Sequence, residues 1–98
     1  MYVILTSKPG QFRTEINDDL QPVEAFDYLF CGRKRAHFVI ASLTHDTRIT
    51  IVDESSTPAV NHVPSKFLAK FETVDAARRE LESLTHFGDM DIALVKCA

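Results

Sequence analysis

VEAFDYLFCGRKRAHFVIA, residues 23–41, is the stretch that decides the fold, because two apolar runs flank a Gly-Arg-Lys-Arg segment. In the first run Phe26, Tyr28 and Phe30 recur at every second residue, which is the period of a half-buried strand. Gly32 supplies the positive φ that short hairpin loops need. The stretch is therefore predicted to form a β-hairpin.

If residues 32–34 form a three-residue loop, the apolar and polar side chains of this hairpin are separated between its two faces. One face is then wholly apolar, with Phe30 opposite Ala36, Tyr28 opposite Phe38, and Phe26 opposite Ile40. The other face is mixed, with the pairs Cys31/Arg35, Leu29/His37 and Asp27/Val39. Because a half-buried hairpin requires such a separation, the aromatic row is expected to face the core and the loop to be exposed.

The same residues also fit a helix over 23–31. Pro22 then lies in the first turn and Gly32 follows the end of the helix. With that helix the order of elements becomes close to βαββαβ, which is the ferredoxin-like sandwich. The strand is the preferred interpretation and the helix is the alternative.

Strands are predicted on both sides of this hairpin from β-branched or alternating apolar residues. They cover residues 2–7, 12–16, 36–43, 48–54, 65–72 and 91–97. The first two are separated by turn residues and are expected to pair as a hairpin. The last, DIALVKC, is apolar and is expected inside the sheet.

A helix is predicted over TVDAARRELESLTHFG, residues 73–88, with Thr73 as its N-cap and Gly88 at its end. Its apolar residues form one stripe: Val74, Ala77, Leu81 and Leu84. The strand–helix–strand order over 66–97 suggests a right-handed crossover between two parallel strands. The predicted fold is a single α+β domain over residues 1–98. It has a mainly antiparallel sheet of five to six strands with this C-terminal helix packed on one face.

Composition limits the possible functions. The chain of 98 residues is 45% hydrophobic and carries 11 Lys and Arg against 14 Asp and Glu. This acidic balance argues against a dedicated duplex-DNA binder, which needs a basic surplus. The chain lacks a signal-peptide pattern and a run of about 20 apolar residues, so no membrane association and a cytoplasmic location are expected. Cys31 and Cys97 are then expected to be buried, reduced thiols.

The basic segment Arg33, Lys34 and Arg35 is a candidate binding site. Together with the aromatic row Phe26, Tyr28 and Phe30 it has the residue types that bind single-stranded RNA. The competing explanation is that the tip of a hairpin is polar because it is exposed, while the aromatic residues belong to the core. The acidic balance favours this second explanation, so nucleic acid is not the expected partner.

A second candidate site lies in the longest irregular stretch, SSTPAVNHVP, residues 55–64, and the residues that follow it. Long loops in small domains are often functional, because ordering them costs conformational entropy. The polar residues Asn61, His62, Ser65 and Lys66 are therefore candidate binding residues.

Catalytic and metal sites find little support in the sequence. The four histidines and two cysteines show no CxxC or HxxxH spacing. The nearest group of ligands is His86, Asp89 and Asp91. The predicted register brings Cys31 near Asp27 and His37, but at a strand end, where nothing lowers the pKa of the thiol. No catalytic residue, metal or cofactor is therefore predicted.

The function that fits these observations is a small cytoplasmic protein-interaction or accessory module without catalytic activity. Its partner is expected to be another protein or a second copy of the chain, bound at a sheet edge or through the 55–66 loop. One alternative is a ligand-binding protein or enzyme with a pocket between the sheet and the helix. The other is single-stranded RNA binding through the aromatic row and the basic segment.

Overall fold

The computed structural model describes residues 1–55, 59–85 and 92–97. Within them the fold is α+β, with seven strands in two antiparallel sheets, a 3₁₀ helix and one α-helix. The strands are β1 (Tyr2–Ser7), β2 (Phe12–Glu15), β3 (Leu20–Phe30), β4 (Arg33–Leu43), β5 (Arg48–Asp53), β6 (Val60–Pro64) and β7 (Ile92–Lys96). The helices are the 3₁₀ helix Ser65–Phe67 and α1 (Val74–Thr85).

The first sheet has the strand order β1-β4-β3-β7, and the second has the order β2-β5-β6. The predicted α+β class and the antiparallel pairing are confirmed. The prediction of one sheet with five to six strands is wrong, because β2, β5 and β6 form a second sheet.

The β3–β4 hairpin forms the middle of the first sheet, and each of its strands has 11 residues. Residues 23–30 are therefore strand, as preferred from the sequence. The alternative helix, and with it the ferredoxin-like order, is wrong.

The predicted register of this hairpin is wrong by two residues. Phe26 pairs with Phe38 and Tyr28 with Ala36. The turn has two residues instead of three and begins one residue earlier, so Phe30 pairs with Arg33 and not with Ala36, and a β-bulge on β4 then reduces this shift of three residues to two. These turn residues, Cys31 and Gly32, have φ values of 51° and 76°. Two consecutive positive φ values are typical of a type I′ turn. Since a shift of two residues preserves the alternation of side chains, the aromatic row keeps the predicted face.

A β-bulge also separates the pair Tyr28↔Ala36 from the pair Leu29↔Lys34. The extra residue on β4 is Arg35. Beyond the bulge Phe30 pairs with Arg33 and not with Ala36. The apolar face of the hairpin therefore ends at Tyr28.

The predicted hairpin of the first two strands is present only at its turn, where Lys8 and Phe12 form an isolated antiparallel bridge. Beyond this bridge β1 pairs with β4 and β2 pairs with β5. Side chains satisfy backbone groups that a hairpin would have paired. The Thr14 N–H donates to Ser7 Oγ at 2.9 Å, and Thr14 Oγ1 donates to the Thr6 carbonyl at 2.5 Å. The chain thus passes from the first sheet to the second between β1 and β2.

The strand predicted over 65–72 is a 3₁₀ turn followed by an isolated bridge between Phe71 and Tyr2. Ser65 fixes the turn, since its N–H donates to the Thr47 carbonyl at 2.8 Å and its own carbonyl accepts from Leu68 at 3.0 Å. The parallel crossover over 66–97 is also wrong, because β7 pairs with β3 in the antiparallel direction.

The irregular stretch predicted over 55–64 ends in a regular strand. Residues 60–64 form β6, which pairs with β5 through Val63 opposite Ile49 and Val60 opposite Val52. Pro64 is tolerated because it ends a strand at the sheet edge.

Two buried clusters hold the fold together, one on each face of the first sheet. The cluster between the two sheets contains Val3, Leu5, Leu20, Ala41, Leu43 and Ile49. The cluster shared with α1 contains Phe26, Ile40, Ala77 and Leu81. Because neighbouring residues of a strand point to opposite faces, Ile40 and Ala41 place β4 between both clusters.

The N-terminus of α1 is capped as predicted, since Thr73 Oγ1 accepts a hydrogen bond from the Ala76 N–H at 3.0 Å. The predicted apolar stripe is correct at Ala77 and Leu81, which are buried, and wrong at Leu84, which is 54% exposed. Thr85 is buried, and its hydroxyl donates to the Leu81 carbonyl at 2.7 Å. The predicted end at Gly88 lies outside the described residues. Within the described part of the chain, no helix has the length and apolar character to cross a membrane.

Candidate functional site

The candidate site lies on the part of the first sheet that the second sheet leaves uncovered. The second sheet packs near β1 and the end of β4, where the buried cluster of Val3, Leu5, Ala41 and Leu43 is found. Toward β3 and β7 the same face is half-buried or exposed, and Val95 has 46% of its surface exposed. Four polar side chains meet there: Asp27, Lys34, His37 and Cys97. They are called the Asp27 cluster below.

Three neighbouring strands position the cluster. Asp27 of β3 lies directly opposite His37 of β4 and Val95 of β7. Cys97 follows β7, and its N–H donates to the Ala25 carbonyl at 2.8 Å. Because side chains alternate along a strand, residues 25, 27, 95 and 97 share one face of the sheet.

Asp27 is the centre of the cluster. Its Oδ1 lies 2.8 Å from His37 Nδ1 and 3.2 Å from Lys34 Nζ. One ligating atom each of Asp27, His37 and Cys97 lies within 4.8 Å of the other two. A carboxylate, an imidazole and a thiol therefore converge at one half-buried point.

Hydrogen bonding and burial shift the titration of two of these groups. The hydrogen bond with His37 lowers the pKa of Asp27, and Lys34 acts in the same direction. Burial raises the pKa of the Cys97 thiol, and the neighbouring Asp27 carboxylate raises that pKa further. At neutral pH Asp27 is therefore ionised and Cys97 is a protonated thiol.

The shift of the Cys97 pKa is opposite in direction to that of an activated cysteine nucleophile. A catalytic cysteine needs a histidine beside the sulfur and a lowered pKa. Here the thiol interacts with the carboxylate of Asp27, and the pKa of Cys97 is raised. The cluster is suited to binding a cation or to holding three strands together.

The register predicted from the sequence placed Cys31 near Asp27 and His37, which is the wrong cysteine. Asp27 and His37 do share a face, but Cys31 is an exposed turn residue, contrary to the expected buried thiol. The cysteine beside them is Cys97. Alternation along β3 and β4 was visible in the sequence, whereas the pairing of β7 with β3 was not.

The basic segment does not form one continuous patch. Arg33, Lys34 and Arg35 are all exposed at the start of β4. Lys34 contacts Asp27, whereas Arg35 lines a cleft on the opposite face together with Tyr28. The bulge at this point separates the two cations.

That cleft has a volume of about 350 Å³ and lies between the first sheet and the end of α1. Tyr28 and Phe38 line it, with ring centroids 6.5 Å apart and an edge-to-face angle of 69°. Its lining also includes Lys8, Gln11, Arg35, Ala36, Leu84 and Thr85.

The candidates of the 55–66 stretch are divided between two environments. Asn61 and His62 are exposed on β6, where His62 Nδ1 lies 3.3 Å from Thr50 Oγ1. Ser65 is fully buried. Its Oγ accepts from the Thr47 N–H at 2.9 Å and donates to Asp46 Oδ1 at 3.2 Å. The Ser65 hydroxyl therefore has hydrogen-bond partners within the chain.

Lys66 is exposed, and its ammonium lies 5.4 Å from the centre of the Phe67 ring. An open groove of about 540 Å³ is lined by Ser65, Lys66, Asn17, Asp46, Thr47, Arg48, Thr50 and Pro64. Of the four candidates in this stretch, only Ser65 and Lys66 border that groove. The possible metal ligands His86, Asp89 and Asp91 lie outside the described residues.

Comparison of the chain with protein-family models, with curated proteins and with solved structures finds no match in any of the three. The class of protein is therefore defined by its architecture, a two-sheet α+β fold with a half-open polar cluster beside a sheet edge.

Proposed function

We propose that the protein is a non-catalytic interaction module that binds a protein strand at the outer edge of β7. The observation that carries this proposal is the position of β7 at the end of the first sheet, with no described strand on its outer side. Such an edge presents unpaired backbone groups, which is the basis of recognition by strand addition.

The direction of these backbone groups follows from one hydrogen bond. The Cys97 N–H points toward β3, because it donates to the Ala25 carbonyl. In an antiparallel pair the residues alternate between facing the partner strand and facing away. The N–H and carbonyl groups of Leu94 and Lys96 therefore point outward, where an added strand would pair with them.

Exposed apolar side chains lie beside this edge. Val95 and Val23 have 46% and 45% of their surfaces exposed. An open groove of about 450 Å³ continues past the end of β7 and is lined by Pro22, Val23, Glu24, Ala25, Lys96 and Cys97. A partner strand would cover this apolar surface in addition to forming backbone hydrogen bonds.

A second copy of the chain is the partner that fits this edge most directly. If two β7 strands pair in the antiparallel direction about Leu94, Ala93 of each copy lies opposite Val95 of the other. Both residues are exposed in the isolated chain. Each Lys96 then lies opposite position 92, so the two ammonium groups are kept apart. The resulting dimer would have one continuous eight-stranded sheet.

Sedimentation velocity of Lys96→Pro and Lys96→Ala tests this function. Proline at 96 removes an outward N–H and leaves the inward Cys97 N–H in place. The alanine variant is the matched control, because both changes remove the same side chain and its contact with Glu24. We expect the wild type and Lys96→Ala to self-associate and Lys96→Pro to sediment as a monomer.

The same two variants serve as baits for other protein partners in cell extract. A protein captured by the wild type and Lys96→Ala, but not by Lys96→Pro, would support an edge-bound heteromeric partner. Two results together would contradict the proposal. The wild type would sediment as a strict monomer, and no captured protein would bind Lys96→Ala without also binding Lys96→Pro.

Small-ligand binding is a second candidate function, favoured by the cleft that Tyr28 and Phe38 line. Its volume of about 350 Å³ lies at the lower end of ordinary ligand pockets. Lys8 and Arg35 border its apolar walls, which favours an apolar anion. Fluorescence titration with anilinonaphthalene sulfonate should show weaker binding in Arg35→Ala than in the wild type. Arg33→Ala, outside the cleft, is the control, and equal binding by both variants argues against the cleft.

Single-stranded RNA binding has less support than either of these. Phe26, the first residue of the aromatic row, is buried in the cluster shared with α1. It is therefore covered on the face that would have to stack against bases. Fluorescence anisotropy with an oligonucleotide should show no salt-dependent binding.

A further inference from the structure

We propose that Asp27, His37 and Cys97 form a binding site for one transition-metal dication, with Zn²⁺ as the best fit. The geometry that supports this is the convergence of their ligating atoms within 4.8 Å of one another. This inference is independent of the proposed interaction at the β7 edge.

The donor set selects the class of cation. A thiolate, an imidazole nitrogen and a carboxylate oxygen are the three kinds of ligand that zinc takes in proteins. Because Cys97 is a protonated thiol without the metal, binding of the dication releases the thiol proton to solvent. Mg²⁺ and Ca²⁺ take oxygen ligands, so a site with sulfur and nitrogen donors discriminates against them. Three protein ligands leave a fourth tetrahedral position for water. The half-exposed surfaces of Asp27 and His37 allow water to reach it.

The scaffold is already formed by backbone pairing. Asp27 and His37 are direct partners in the β3–β4 ladder. Cys97 is tied to β3 by its N–H bond to Ala25. Zinc bonds of about 2.0–2.2 Å to nitrogen and oxygen put tetrahedral ligands ~3.3 Å apart. The present separation of Asp27 Oδ1 and His37 Nδ1 is 2.8 Å, so this pair needs to open only slightly to admit the ion.

Lys34 is the cation that pairs with Asp27 in the structure. Its ammonium lies 3.2 Å from Asp27 Oδ1 and neutralises the same carboxylate that would bind the metal. Lys34 has 46% of its side chain exposed, so it can withdraw into solvent when a dication binds. Its positive charge should weaken metal binding. Lys34→Ala is therefore expected to raise the affinity for Zn²⁺, whereas substitutions of the three ligands should lower it.

Calorimetric titration of the reduced, full-length protein with Zn²⁺ tests the site. We expect one ion per chain. Asp27→Asn, His37→Gln and Cys97→Ser should each weaken binding at least tenfold, since the loss of outer-shell contacts alone costs 10–100-fold. Lys34→Ala should bind Zn²⁺ more tightly than the wild type.

Matched controls are available elsewhere in the chain. Cys31→Ser removes the other thiol, and His45→Asn removes an exposed imidazole. Both should bind Zn²⁺ like the wild type, and Mg²⁺ should not compete. Circular dichroism of every variant separates loss of a ligand from loss of the fold.

Cobalt substitution gives a readout of ligand identity. Co²⁺ bound by the wild type should show a thiolate charge-transfer band that Cys97→Ser lacks and Cys31→Ser keeps. Absence of zinc binding in the folded wild type would overturn the proposal. So would binding that depends on Cys31 or His45 and not on Cys97. Lys96→Pro retains all three ligands, so failure of the edge proposal leaves this test unaffected.

Discussion

Phe26 is one of the residues through which the central hairpin packs against α1. It is 8% exposed and shares a cluster with Ile40, Ala77 and Leu81. Phe26→Ala should lower the free energy of unfolding by about 3–5 kcal/mol, because it removes a large buried ring and leaves a cavity. Urea denaturation measures this change. Phe67→Ala, at a ring that is 72% exposed, is the control and should change stability by less than about 0.5 kcal/mol. Equal effects of the two substitutions would mean that Phe26 is not buried.

Glu24 makes the stability of the fold sensitive to acid. Arg78 Nε donates to Glu24 Oε2 at 3.1 Å, and this hydrogen bonding lowers the pKa of Glu24 below its ordinary value. A lowered pKa in the folded state gives stability that is present above about pH 4.3, the usual value for glutamate, and is lost as the pH falls through the folded pKa.

Unfolding of Glu24→Gln at several pH values measures this contribution. The variant should be less stable than the wild type at pH 7, and the difference should shrink below about pH 4. Glu80→Gln removes a carboxylate from the exposed part of α1 and is the control. A constant difference between Glu24→Gln and the wild type at all pH values would contradict the assignment.

At the scale of the element, the turn between β3 and β4 carries a conformation that its sequence does not favour. Cys31 has φ 51°, which a side chain with Cβ adopts at a cost of about 1–2 kcal/mol. Asn-Gly is the favoured pair for a type I′ turn. Cys31→Asn should therefore stabilise the protein by about 0.5–1 kcal/mol, and thermal unfolding would show a higher midpoint.

Two further substitutions are controls for the effect of Cys31→Asn on the midpoint of thermal unfolding. Cys31→Ser keeps the unfavourable φ and should leave the midpoint nearly unchanged. Gly32→Ala should lower it, because φ at Gly32 is 76°. A lower midpoint in Cys31→Asn would show that the turn does not adopt this conformation in solution.

Strands and helices could be predicted where the spacing of apolar residues showed the period of a strand or of a helix. Alternation revealed β3 and β4, and the cap at Thr73 with the residues Ala77 and Leu81 revealed α1. The turn was predicted one residue too long because a positive φ at Cys31 has no signal in the sequence. The segment 65–72 alternates like a strand, yet the buried Ser65 hydroxyl and its bonds to Thr47 hold it as a 3₁₀ turn.

At the scale of the whole molecule, the sequence patterns did not indicate which strands pair with each other. Each strand shows which of its faces is apolar but not which strand lies beside it. The prediction therefore placed β2 in one sheet with β1, and it placed β7 inside the sheet, whereas β7 is the last of the described strands of the first sheet. The candidate site depended on the same missing information, since Cys97 reaches Asp27 only through the pairing of β7 with β3.

The position of β4 leads to a prediction about cooperativity. β4 contributes Ile40 to the cluster with α1 and Ala41 to the cluster between the sheets. Because one strand is shared, neither cluster can be lost while the other keeps its packing. The whole chain is therefore expected to unfold in one transition, as a single domain would.

Urea denaturation followed by far-UV circular dichroism and by tyrosine fluorescence tests this expectation. Ile49→Ala removes packing between the sheets, and Leu81→Ala removes packing between α1 and the first sheet. Each should move the coincident transition of both probes to lower urea, by about 2–5 kcal/mol in free energy. Val60→Ala, at a residue that is exposed on β6, should leave it in place. If Ile49→Ala and Leu81→Ala instead each produced a separate transition seen by only one probe, the two clusters would be independent folding units and β4 would not couple them.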